Sequence, residues 1–76
     1  MNKLYIVRWE DAWGNGSAYY KEGNDYTPVN MLDVGWVMEE NNETIVLCSC
    51  HCPDDGEYRH VKVIPWKYVV SMEELV

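Results

Sequence analysis

Thr44-Ile45-Val46-Leu47-Cys48-Ser49 is the stretch on which the fold turns. It opens with three β-branched residues and lies between two turn clusters, Asn41-Asn42 and Cys52-Pro53-Asp54-Asp55-Gly56. A run this short and this β-rich predicts a strand, continuing to His51. Both of its faces are apolar, so one side is expected to meet an interior and the other to meet something else. A second copy of the chain is the economical cover, and a homo-oligomer is therefore expected.

Working outward, Val29 to Glu39 carries apolar residues around a central Gly35. A glycine inside a strand pattern marks a bulge, a bend or a close backbone approach, which predicts a long bent strand hairpinned to the run across Asn41-Asn42. On the other side, Tyr58 to Ile64 places Tyr58, His60, Lys62 and Ile64 on one face and Arg59, Val61 and Val63 on the other. Pro65 ends that strand, Trp66-Lys67-Tyr68 predicts one tight turn, and Val69-Val70-Ser71 supplies a last short strand. Near the start, Leu4 to Trp9 predicts a first strand. The turn signals Gly14-Asn15-Gly16, Gly23-Asn24-Asp25 and Thr27-Pro28 follow it, with Ser17 to Glu22 able to extend or pair with that strand. No segment sustains helical periodicity. The expectation is a single domain, 1–76, mainly β: a small five-stranded barrel or a strongly bent antiparallel sheet.

The segment Ile64-Pro65-Trp66-Lys67-Tyr68-Val69 resembles the end of SH3-like small β-barrels, in which an Ile-Pro pair, one helical turn and a Tyr-Val pair precede the last strand. The resemblance covers six residues and implies architecture only, because the tyrosine motif and paired tryptophans that hold proline-rich peptides are not in their usual places. From Val29 onward, Val34-Gly35-Trp36-Val37, an acidic turn, a β-rich run and Ile64-Pro65 are similar to short bacteriophage-encoded proteins. That likeness implies a phage origin and a role accessory to infection, and names no reaction.

Six Lys and Arg against thirteen Asp and Glu give a formal charge of -7. The electrostatic footprint of a nucleic-acid binder is missing, so direct binding of DNA or RNA is not expected. The carboxylates gather at Glu10-Asp11, Glu39-Glu40, Asp54-Asp55 and Glu73-Glu74, in predicted loops or at chain ends. No apolar stretch approaches the roughly 18 residues of a membrane span and the first residues do not form a signal peptide, which predicts a cytoplasmic protein in the host cell.

Cys48, Cys50 and Cys52 fall within five residues, too close to staple distant parts of a fold, and reduced thiols are expected. Cys50 and Cys52 with His60 are the only candidates for zinc. Their spacing lacks the separated chelating pairs of a structural zinc site. Side chains two apart on a strand also stand about 6.5 to 7 Å from each other, beyond the reach of one tetrahedral ion. Cys48 and Cys50 are expected instead as small apolar core residues, and no metal or other cofactor is expected. Cys50 activated by His51 is a poor nucleophile, since neighbours on a strand point to opposite faces, and no hydrolytic or phosphate-binding pattern recurs. The chain is not expected to be an enzyme.

Four Trp and six Tyr are more than so small an interior hides. The expected binding residues are Trp13, Tyr19, Tyr20, Trp36 and Trp66, with Lys21 and Arg59 as charged accessories. Three roles fit: a non-enzymatic module that binds and inhibits or redirects a host defence protein; a sponge holding a small nucleotide-like signalling molecule in an aromatic pocket between subunits, with Lys21, Arg59, Lys62 or Lys67 on its phosphates; or a virion or assembly component.

Overall fold

The computed structural model describes residues 2–14 and 16–75, so Asn15, at the centre of the Gly14-Asn15-Gly16 turn signal, lies outside the described residues. The strands are β1 (Leu4–Asp11), β2 (Val29–Glu40), β3 (Thr44–His51), β4 (Tyr58–Pro65) and β5 (Val69–Glu74), with a single 3-10 turn at Trp66–Tyr68. They form one antiparallel sheet in the order β4-β3-β2-β1-β5. The sheet is open: β4 and β5 are its two edges and do not pair, so the closed barrel among the sequence expectations does not form. Ser17 to Glu22 makes turns and irregular backbone and neither extends nor pairs with β1, which corrects the expectation for that segment.

Residues paired across antiparallel strands share a face. Val7 on β1 stands opposite Asp33 and Met72, Val37 opposite Leu47, and Ile45 opposite Ile64. Val7, Ile45, Leu47 and Ile64 form the buried cluster on this side, with Tyr5, Trp9, Val37, Trp66, Val69 and Met72 packed around it. Val7 and Ile64 lie three strands apart, about 14 Å in a flat sheet, yet belong to one packed cluster, so the sheet curls over this face. Gly35 makes the curl possible by leaving the centre of β2 without a side chain, and a Cβ there would lie 2.8 Å from the Cys48 carbonyl oxygen.

The inner face is edged by a polar group. Trp9 Nε1 donates to Asp33 Oδ2 at 2.6 Å, and Lys62 Nζ donates to Asp33 Oδ1 at 3.0 Å while lying 5.6 Å from the centre of the Trp9 ring. At the chain ends, the Lys3 ammonium meets Glu74 at 3.2 Å. The hydrogen bond from Lys3 to that carboxylate, and then its charge, raise the Lys3 pKa above its ordinary value. This tie of the start of β1 to the end of β5 is therefore present at neutral pH and lost as pH climbs through the raised value.

The Asn41 turn is joined to the 3-10 turn. The Asn41 side-chain oxygen accepts from the Glu43 and Thr44 amides, while Trp66 donates through Nε1 to the Asn41 carbonyl at 2.8 Å and through its amide to the Glu43 carbonyl at 2.9 Å.

His60 is the one irregular residue in β4, at φ 61 in the left-handed region, where a side chain costs about 1 to 2 kcal/mol. Its side chain is exposed. His60→Gly is therefore expected to stabilise the chain by about 1 kcal/mol, read as a higher urea midpoint with an unchanged slope; a lower midpoint would mean that the imidazole contributes packing that outweighs the backbone strain.

Candidate functional site

Seventeen residues, 12–28, connect β1 to β2 and form an arm built from aromatic rings. The Trp13 and Tyr26 rings stack with centroids 6.2 Å apart and planes at 18°, and Tyr20 stacks with Tyr26 at 5.4 Å and 19°. Tyr26 is thus the member common to both stacks. Its hydroxyl oxygen accepts from the Lys21 amide at 2.9 Å, and Trp13 Nε1 donates to the Thr27 carbonyl at 2.6 Å. The returning chain is shaped by Gly23 at φ 92 and by the Asp25 carboxylate, which accepts from the Thr27 amide at 3.0 Å. Two short side chains (Ala12 and Ala18) and Pro28 complete an apolar cleft of about 640 Å³ lined by Trp13, Tyr19, Tyr20 and Tyr26.

The rings are organised without being buried. Tyr19 is 88% exposed and Tyr20 74%, and every described residue from Ala12 to Asn30 is exposed. The chain has a radius of gyration of 15.8 Å and a long dimension of 52 Å, against about 11 Å of radius for a compact chain of this length. An elongated molecule with an outlying arm accounts for that excess. Between Glu10 and Pro28 the charges are Glu10, Asp11, Glu22 and Asp25 against Lys21 alone, so the cleft sits in a negative field.

Trp13, Tyr19, Tyr20 and Lys21 are thus brought into one arm. Trp36, Trp66 and Arg59 are not. Trp36 is half-buried on β2 in a second ring cluster, edge-on to His51 at 5.9 Å and to Tyr58 at 5.7 Å, where His51 lies face to face with Tyr58 at 4.2 Å. Trp66 packs against the core and is pinned to the Asn41 turn. Arg59 is held by Asp55 and Glu57, both at 2.9 Å. Of the cations expected to face a nucleotide's phosphates, Lys62 is also spent on Asp33 and Lys67 lies 5.2 Å from the Tyr68 ring, which leaves Lys21 as the one in the arm. Tyr26, the ring shared by both stacks, is the arm residue that the sequence reading does not single out.

Cys48 is buried as expected, whereas Cys50 is exposed and not a core residue; Cys52 is half-buried, and none of the three is in a disulfide. Cys48, itself outside the core cluster, stands between Trp36 and Val61, whereas Cys50 stands opposite Arg59 near the end of the hairpin. Among the described residues no group of three or more His, Cys, Asp or Glu side chains is placed to hold a metal ion, and Cys50, Cys52 and His60 do not converge. No helix among the described residues is long and apolar enough to cross a membrane. No family model, curated protein or solved structure matches the chain.

Proposed function

We propose that the chain is a non-enzymatic binding module whose arm grips a basic segment of a partner protein. The observation that carries this reading is the stack of Trp13, Tyr26 and Tyr20, held in shape by its own hydrogen bonds while its neighbour Tyr19 and its outer ring stay open to solvent. Ordering rings before contact lowers the entropy lost on binding. Exposed ring faces in a segment with four carboxylates against one lysine suit the guanidinium or ammonium group of a basic partner, each such contact contributing about 0.5 to 1 kcal/mol. The likeness to phage-encoded proteins makes a host defence protein the proposed partner.

The division of labour between charge and rings gives the test. With a host protein recovered by pull-down and then purified, association is expected to slow as salt is raised, because the negative arm steers encounter. Trp13→Ala or Tyr20→Ala is expected to speed dissociation about 10-fold or more while changing association little. Salt-independent association, or unchanged dissociation in both variants, would overturn the proposal.

A further inference from the structure

The second face of the sheet, opposite the core, is also apolar. Pairing places Leu4, Trp36, Cys48 and Val61 in one row across four strands, with Val46 opposite Val63 in the next and Ile6 opposite Val34 on the other side, followed by Leu32. Four of these side chains face solvent: Leu32 is 56% exposed, Val34 46%, Val61 65% and Val63 56%. We infer that this face is the interface between two copies of the chain.

Size, charge and architecture agree on that occupant. The nine side chains of these rows, each covering about 4.8 by 6.8 Å of sheet, make a surface of roughly 300 Å² in plan. Side-chain relief and the rim of Arg8, Glu39, Arg59 and Glu73 bring what two copies hide towards about 1,000 Å², the lower bound for a specific interface. The named rows carry no charge until the rim, where Arg8 stands beside Leu32, Glu73 beside Ile6 and Glu39 beside Val46. A basic partner of this acidic chain finds nothing to pair with in the centre of such a surface, whereas a second copy turned through a two-fold axis meets the same uncharged rows and a rim of both signs. Apolar sheet faces stack about 10 Å apart, and a stable domain requires two layers. A single copy has one layer, and among its described residues only Val7, Ile45, Leu47, Cys48 and Ile64 are buried hydrophobic side chains. A chain of this size usually needs outside support of this kind. The face shares no residue with the arm, so either can fail without the other.

Sedimentation equilibrium from about 1 to about 300 μM covers the range in which an interface this small titrates. The mass is expected to rise from that of one chain to that of two. The double variant Val34→Asp, Val63→Asp is expected to weaken association about 100-fold or more, with an unchanged far-ultraviolet circular dichroism spectrum, while Tyr20→Ser leaves it intact. A single-chain mass throughout would overturn the inference, as would a dimer indifferent to the double variant or abolished by Tyr20→Ser. If the double variant does not fold, the wild-type methyl resonances decide. Protection of Leu32, Val34, Val61 and Val63 from a soluble paramagnetic probe at high concentration supports this interface, and protection confined to the edge strands or the arm overturns it.

Discussion

Gly35→Ala is expected to destabilise the chain by about 1 to 2 kcal/mol, and Gly35→Val to leave it largely unfolded at 25 °C. The added Cβ would lie 2.8 Å from the Cys48 carbonyl oxygen and 3.3 Å from both the Cys48 carbonyl carbon and the Leu47 Cβ. Two of these atoms are backbone of the neighbouring strand, which cannot rotate away. Relief requires β2 and β3 to part where Trp36 pairs with Cys48. Forcing a methyl group into a packed site costs about 1 to 3 kcal/mol, offset by the roughly 0.5 to 1 kcal/mol that alanine gains by restricting the unfolded chain. A domain of this length has only about 3 to 5 kcal/mol in hand, so the two further methyl groups of valine exhaust it. Urea titration followed by tryptophan fluorescence measures both variants. Gly14→Ala is the control, because nothing lies within 4 Å of its added Cβ, and it is expected to stay within about 0.5 kcal/mol of the parent. An unchanged midpoint for Gly35→Ala would show that the sheet does not close over β2 as described.

Gly35 also shows where the sequence was legible. A glycine flanked by apolar residues in a β-rich segment has few uses, and the close approach of β3 to β2 is one of them. The strands were legible for the same local reason: β-branched runs ended by Asn, Asp, Gly and Pro leave little freedom for other structure. Whether β4 meets β5 is not written in any such run, because closure depends on curvature accumulated over all five strands, and the two bulges, at Arg8/Trp9 and Val37/Glu39, are invisible in the residue pattern. The left-handed His60 is hidden inside an otherwise regular alternation. Cys48 and Cys50 share a sequence phase, and only their cross-strand neighbours, distant in sequence, separate a buried thiol between Trp36 and Val61 from an exposed one opposite Arg59. Trp13, Tyr19 and Tyr20 are close enough along the chain to be read as one site. Trp36 and Trp66 are far from these three in sequence, and packing places Trp36 beside His51 and Tyr58 and Trp66 on the Asn41 turn. Tyr26 was missed because a ring becomes central to a stack through the path of the loop, and that path depends on Gly23, the Asp25 carboxylate and Pro28 together.

Tyr26→Ala is expected to weaken partner binding about 30-fold to 1,000-fold while leaving the sheet intact. Its ring is the shared member of both stacks, and its hydroxyl oxygen accepts the Lys21 amide. Removing it forfeits two ring contacts of about 0.5 to 1.5 kcal/mol each beyond area burial, and a hydrogen bond of about 1 kcal/mol. Nothing in the core cluster touches this cost, since Tyr26 lies in the exposed arm and no arm residue belongs to the buried set. The loss therefore falls on the order of the arm: Trp13 and Tyr20 must be arranged anew at each encounter. A penalty of about 2 to 4 kcal/mol on the bound state corresponds to a 30-fold to 1,000-fold weaker complex, with the urea midpoint of the sheet unchanged. Tyr26→Phe keeps both stacks and removes only the hydroxyl, so it is expected to weaken binding by no more than about 10-fold. Isothermal titration of the two variants against the same partner measures the difference. Equal affinities for alanine and phenylalanine at position 26 would show that the partner does not use the ordered arm, and would place recognition on another surface of the molecule.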